Sequence, residues 1–119
     1  VLDGFVLPQD STKDHLIVST HIYDGIDSAK TKLGNLHKYF VKHNIPVIIG
    51  EWGKKNSNVN TEDSRKKYAS EFLTIASGYG IPCIWWDDGG IFSSSSAVSN
   101  YAILQRKTGK WYFDKLFAN

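Results

Sequence analysis

A carboxylate closes an apolar run at "IPVIIGEWG" (Ile45–Gly53), and Glu51 is the first residue of this chain whose position invites chemistry. Two other apolar runs end in the same way. "HLIVSTHIY" (His15–Tyr23) closes with His21 and Tyr23, an imidazole and a phenol two residues apart. "IPCIWWDDGG" closes with the indole of Trp86 and the carboxylates of Asp87 and Asp88. A carboxylate buried without donors is costly, so an inward Glu51 demands partners, and Tyr23 and His21 can supply them. Titratable groups clustered at one mouth mark functional sites, and an indole such as Trp86 offers a floor for the apolar face of a sugar ring. The structural alternatives are a strand-end glutamate that pairs with an arginine or caps a helix, and a tryptophan that belongs to the core.

The elements that must carry these residues alternate. His15–Tyr23 is rich in β-branched residues and reads as a strand. "SAKTKLGNLHKYFVKHN" spaces Leu33, Leu36, Phe40 and Val41 as a helix does, with Asp27 or Ser28 as cap. Ile45–Gly53 reads as the second strand. A second helix is predicted from Asn60 or Thr61, either of which caps it, to Gly78 or Gly80, with acids in its first turn. Its buried stripe is Tyr68, Phe72, Ile75, Ala76 and Tyr79, and "RKK" at Arg65–Lys67 reads as a solvated face. "IPCIWWDDGG" is the third strand. A polar loop, "IFSSSSAVSN", follows, then an irregular segment with a turn at Thr108–Gly109 and a short closing helix.

Strands joined by helices are parallel, with right-handed connections. "NIP" (Asn44–Pro46) and "GIP" (Gly80–Pro82) precede successive strands alike, which reads as one repeated turn: a helix terminator, an anchoring isoleucine, then a proline at the strand's start. Repeated units of this kind build either an open doubly wound sheet or a (β/α)8 barrel. No glycine-rich phosphate loop follows any strand. Polar and aromatic residues do end all three, as in a barrel, whose ligand chemistry sits at the C-terminal face of its strands. Strict alternation places Val47, Ile49, Glu51 and Gly53 on one inward face, Ile84 with Trp86, and His21 with Tyr23; Cys83, Trp85 and Asp87 take the opposite face.

Composition narrows the field. The chain has 119 residues, Lys+Arg 14 against Asp+Glu 12, and a net charge of +2 with the signs interleaved, which gives no case for nucleic acid or a membrane surface as partner. The single cysteine, Cys83, excludes an internal disulfide and a cysteine-based zinc site, and reads as an inert buried thiol. No cofactor or metal is called for, and no apolar stretch approaches the ~18 residues of a membrane span. The chain opens at "VLDGF" without a methionine and reads as processed, cut or excised.

The four segments "HLIVSTHIYD", "IPVIIGEWG", "IPCIWWDDGG" and "RKTGKW" resemble the C-terminal part of the glycoside hydrolase family 5 endoglucanases, which cleave β-1,4-glucans. The resemblance covers essentially the whole chain. It implies an α/β fold, a partial TIM (β/α)8 barrel in which residues 1–119 form a C-terminal half-barrel fragment and the three strands correspond to the sixth, seventh and eighth. It further implies that Glu51 is the catalytic nucleophile of a retaining hydrolase. His21 and Tyr23 would line the cleft, with the tyrosine hydrogen-bonded to the nucleophile. Trp86 would form the platform under the sugar, with Trp52 and Asp88 also in the substrate-binding set. A secreted protein acting on a β-glucan oligosaccharide or polysaccharide follows from the same resemblance.

Three features depart from the family pattern. Asp88 stands where the family usually has asparagine, and the segment after Tyr23, "DGIDSAK", is short. The "N-E-P" motif that carries the family's general acid/base is not found in this sequence. A barrel takes about 200–250 residues or more, and three or four parallel strands alone leave raw edges and an uncovered inner face carrying Val47, Ile49 and Ile84. The expectation is therefore a homodimer or a complementary barrel half, either of which would supply the second carboxyl group. A catalytically silent fragment that keeps a sugar-stacking surface is the alternative. A dedicated carbohydrate-binding module fits less well, since such modules are usually β-sandwiches.

Overall fold

The computed structural model describes residues 4–12, 14–55, 61–89 and 101–111. Strand β1 (Val18–Ile22) leads into helix α1 (Ile26–Tyr39), strand β2 (Val47–Trp52), helix α2 (Glu62–Gly78) and strand β3 (Cys83–Trp85). Two short strands, β4 (Leu104–Gln105) and β5 (Lys110–Trp111), follow. The sheet order is β1-β2-β3, with both pairings parallel, as the helix-linked pattern predicts. β4 and β5 form an antiparallel hairpin around the expected turn, where Gly109 adopts φ +68°. The sequence reading had that segment as irregular; each strand is only two residues long, too short to show a period. The predicted polar loop at 91–100, the closing helix and the Asn60 cap lie outside the described residues.

The helix ends follow local chemistry. Thr61 caps α2, its side-chain oxygen accepting the Ser64 N–H, and Glu62 and Asp63 fill the first turn, where carboxylates favour the helix dipole. α1 starts earlier than its predicted caps: Gly25 is the capping residue, without a side-chain bond, and Asp27 and Ser28 lie inside the helix. The "NIP" and "GIP" turns are the same device twice. Asn44 (φ 60°) and Gly80 (φ 67°) are left-handed, and the next N–H, of Ile45 or Ile81, bonds back to the carbonyl of Phe40 or Ala76. Each proline carbonyl then accepts the first bond from the preceding strand, Val18 N–H to Pro46 and Ile49 N–H to Pro82. The proline's missing N–H costs nothing at this point.

Both helices cover one face of the sheet. Val18, Ile22, Val47, Ile49 and Trp52 pack there against Ala29, Leu33 and Leu36 of α1 and Tyr68, Phe72 and Ala76 of α2. Each of the larger side chains among them contributes about 1.5–3 kcal/mol on burial, and each alanine methyl about 0.8. The indole of Trp52 stacks on Phe72 at 4.4 Å and 8°. On the predicted stripe, Ile75 and Tyr79 are only partly buried, while Arg65 is completely so. The solvated reading of Arg65 is thus corrected; Lys66 and Lys67 are exposed.

Strict alternation fails on β2, and the failure is informative. Thr20 pairs with Ile49 but His21 pairs with Glu51, so Gly50 is an extra residue, a β-bulge. Val47 and Ile49 face the helices, not a barrel interior as alternation predicted. The bulge then turns Glu51 to the open face and returns Trp52 to the core. The strands approach closely here: a Cβ on residue 50 would lie 2.9 Å from Ser19 Oγ, so that this exposed hydroxyl would have to turn aside, and 3.6 Å from His21 Nε2, an ordinary contact. The open face carries Ile84 (55% exposed) and Trp86 (41%), which share a face as predicted.

Candidate active site

The bulge sets Glu51 opposite the end of β1, where His21 and Tyr23 point to the same side. The Tyr23 hydroxyl donates to Glu51 Oε2 at 2.8 Å, and His21 Nδ1 lies 3.2 Å from the same oxygen. Glu51 is about a quarter exposed, a carboxylate held from two sides and still reachable. Among the described residues no other hydrogen bond or ion pair reaches it, so Oε1 is the oxygen without a protein donor. Burial, and next the donation to Glu51, holds the Tyr23 hydroxyl well above the ordinary phenol range. Tyr23 is accordingly a neutral donor throughout the physiological range. A carboxylate so positioned can attack a carbon electrophile or accept a proton.

The third strand contributes differently from expectation. Trp86 donates its backbone N–H to the Trp52 carbonyl at 2.8 Å and leaves its indole on the open face. Asp87 is spent on structure: Oδ1 accepts from Gly89 N–H at 2.9 Å and Oδ2 from Leu104 N–H at 3.3 Å. Asp88 Oδ2 accepts from Tyr101 N–H at 3.4 Å, so this candidate substrate ligand already holds a backbone amide. Trp52, assigned to substrate binding by sequence, is 2% exposed and belongs to the packing layer. The structure therefore groups Glu51, His21 and Tyr23 in direct contact, sets Trp86 on their face, and removes Trp52.

Three residues escaped the sequence reading. Arg65 donates through Nε to the Lys54 carbonyl at 2.8 Å, just beyond β2, and its guanidinium lies 5.4 Å over the Trp85 ring. Its second terminal nitrogen reaches the Tyr101 carbonyl at 3.5 Å, the long limit of a hydrogen bond. Burial works against the guanidinium charge, while the nearby Glu62 and Asp88 carboxylates favour it. Trp85 donates its indole N–H to the same Tyr101 carbonyl at 3.2 Å. A signal for Arg65 was present: residues 65, 68, 72 and 76 follow helical spacing, which puts the arginine on the apolar stripe. Among the described residues, no group of three His, Cys, Asp or Glu side chains is placed to hold a metal ion.

Comparison with known proteins bears on the family and the fold. Residues 2–90 match the family model for cellulase, glycosyl hydrolase family 5. Endoglucanase B of Ruminococcus albus is 34% identical over 97% of this chain and 30% of its own length. A glycoside hydrolase 5 lichenase mutant from Caldicellulosiruptor sp. F32, in complex with cellotetraose, superposes with a TM-score of 0.84 at 28% identity, over 94% of this chain and 36% of that one. A broad specificity endoglucanase from Ruminococcus champanellensis with bound cellotriose gives 0.83 at 30% identity, over 97% and 37%. This chain thus spans about a third of the length of these relatives, and its parallel sheet with helices on one face is a corresponding part of their barrel. On the family match, the relatives and the superposition together, the chain belongs to glycosyl hydrolase family 5 as a partial (β/α)8 barrel.

Proposed function

We propose that this chain carries the nucleophile half of a retaining endoglucanase site for β-1,4-glucosidic bonds. The observation that carries the reading is the Glu51 carboxylate, held on Oε2 by Tyr23 and His21 and open at Oε1. Glu51 Oε1 attacks the anomeric carbon, the glycosidic bond breaks, and the glycosyl ester is later hydrolysed by water. Tyr23 and His21 fix the carboxylate so that one oxygen faces the sugar. Trp86 stacks under the ring beside the scissile bond. The two solved neighbours with bound cello-oligosaccharides support a glucan as ligand.

Retention needs a second carboxyl group about 5–5.5 Å from the first, to protonate the leaving oxygen. We assign it to barrel strands outside this chain, or to a second copy placed across the open face. Without it the chain loses about 10²–10⁴-fold on unactivated bonds. A polymeric glucan is met outside the cell, so secretion is part of the proposal. Among the described residues no helix is long and apolar enough to cross a membrane.

The test compares two substrates. A dinitrophenyl β-cellobioside has a leaving group that needs no protonation, whereas carboxymethyl-cellulose needs the acid. The chain alone is expected to release dinitrophenolate well above background and to release few reducing ends from the polymer, with both lost in Glu51→Gln. Equal dinitrophenolate release by Glu51→Gln would refute the assignment. Complete inertness of the wild-type chain towards the activated substrate, with retained binding of cellotriose, would favour the silent, sugar-stacking reading.

A further inference from the structure

Tyr101 lies sixteen positions beyond Trp85 and fifty beyond Glu51, yet it touches the Glu51 site through Tyr23. Its ring meets the Tyr23 ring edge-on, with centroids 5.3 Å apart at 67°. Its backbone is held at both ends: Asp88 accepts from the amide, and Trp85 and Arg65 donate to the carbonyl. A Cβ at Gly53, two residues past Glu51, would lie 3.1 Å from the Tyr101 ring and 3.4 Å from Trp85. The space between the β2 and β3 ends is therefore filled by this one residue and its supports.

From this geometry we infer that Tyr101 is a positioning residue for the nucleophile: clamped by Trp85, Arg65 and Asp88, it buttresses Tyr23 so that the Tyr23 hydroxyl stays aimed at Glu51 Oε2. The physical need is clear. Tyr23 follows the last residue of β1, and its side chain is 40% exposed. An exposed strand-end side chain samples several rotamers, and only some of them reach the carboxylate. An edge-on aromatic neighbour restricts that choice. Fixing one group through the packing of another is how a site holds its geometry. Arg65 acts at one remove: it is fully buried on α2, lies over Trp85 and ties down Lys54. Tyr68, one turn further along α2, donates to the Asp24 carbonyl at 2.9 Å and steadies the chain just after Tyr23. One face of α2 thus reaches the loops beyond all three strands.

This inference deepens the proposed reading of the Glu51 site and rests on it, but its test does not depend on glycosidase activity. The ring carbon bearing the Tyr23 hydroxyl reports hydrogen bonding by its NMR chemical shift, measured on the whole chain at neutral pH. Tyr23→Phe assigns the signal by deleting it, and Glu51→Gln gives the position it takes when the carboxylate is gone. Tyr101→Ala is expected to move the signal most of the way to the Glu51→Gln position. Tyr101→Phe, which keeps the ring, is expected to leave it in place. Core aromatic signals from Phe72 and Trp52 report folding in the same spectra. An unmoved Tyr23 signal in Tyr101→Ala, or equal displacement in Tyr101→Ala and Tyr101→Phe, would overturn the proposal. A Tyr101→Ala chain that loses its Phe72 and Trp52 signals would also overturn it, since the residue would then be holding the fold. Absence of dinitrophenolate release by the wild-type chain, with the Tyr23 signal moved by Glu51→Gln and by Tyr101→Ala as expected, would count against the enzymatic reading alone.

Discussion

The Tyr23 hydroxyl and the Glu51 carboxylate meet at 2.8 Å across two neighbouring parallel strands, and they do so because β2 carries one residue more than β1. Without the bulge at Gly50, alternation would turn Glu51 to the helix side beside Val47 and Ile49, and Trp52 away from it. The pair is as much a product of strand register as of residue type.

Gly50 is therefore predicted to accept a larger side chain only where Ser19 gives way. Gly50→Ala brings a methyl to 2.9 Å from Ser19 Oγ, and overpacking of this kind costs about 1–3 kcal/mol. Ser19→Gly in the same chain should recover most of it. A denaturant series that finds Gly50→Ala as stable as the parent chain would refute the steric account of the bulge.

Arg65 and Lys67 share a helix and a charge but not an environment. Removing the Arg65 side chain leaves the Lys54 carbonyl without its side-chain donor, leaves the Tyr101 carbonyl with Trp85 alone and empties a fully buried site, so Arg65→Ala should cost at least about 1–3 kcal/mol. Lys67 is 77% exposed in a 3.9 Å pair with Glu71, and Lys67→Ala should fall within about 0.5 kcal/mol of the parent. Equal unfolding midpoints for the two variants would contradict the placement of Arg65. Phe72→Ala, which removes the ring under Trp52, should cost about 3–5 kcal/mol on the same scale.

Alkaline pH tests the tyrosines. Burial pushes the Tyr68 hydroxyl from 10.0 up to about 12, and Tyr23 and Tyr101 are raised as well. A group with a raised folded value stabilises fully below its unfolded value, and that contribution disappears as pH climbs through the folded one. Stability should be insensitive to these groups below pH about 10 and fall between there and about 12. Tyr68→Phe should shallow that fall, and thermal midpoints across the range would show it. An unchanged slope in Tyr68→Phe would mean that its hydroxyl ionises freely.

The open face predicts association. Ile84, Trp86 and Tyr23 are exposed on it, and β1 and β3 each present a free edge within the described sheet. Light scattering of the isolated chain should return a mass above the 13.4 kDa of one copy. A monodisperse monomer at micromolar concentration would contradict this and leave the second carboxyl group to other barrel strands.

Much of this was legible in the sequence because it is written in local patterns. The apolar runs, their common "IP" entry, the Thr61 cap and the strand-end cluster are each signalled within a few residues. The bulge is not, because a register belongs to a pair of strands and neither strand alone shows it. That one omission misplaced Val47 and Ile49; Trp52 entered the substrate-binding set through the family resemblance, and its burial takes it out. Arg65 was misread for another reason: a charge on an apolar stripe looks solvated until the carbonyls that receive it are known, and these come from Lys54 and from Tyr101, thirty-six residues away. Tyr101 itself carries no local sign of its role, since its partners lie on three other elements.

The central claim is that Glu51 is the nucleophile, and covalent trapping tests it most directly. A dinitrophenyl β-cellobioside fluorinated beside the anomeric carbon forms the glycosyl ester without help from an acid and releases it slowly. Mass spectrometry of the labelled, digested chain should find one glycosyl adduct, on the peptide that contains Glu51, and none in Glu51→Gln. An adduct on any other residue, the same labelling in Glu51→Gln, or no adduct on the folded wild-type chain would contradict the account.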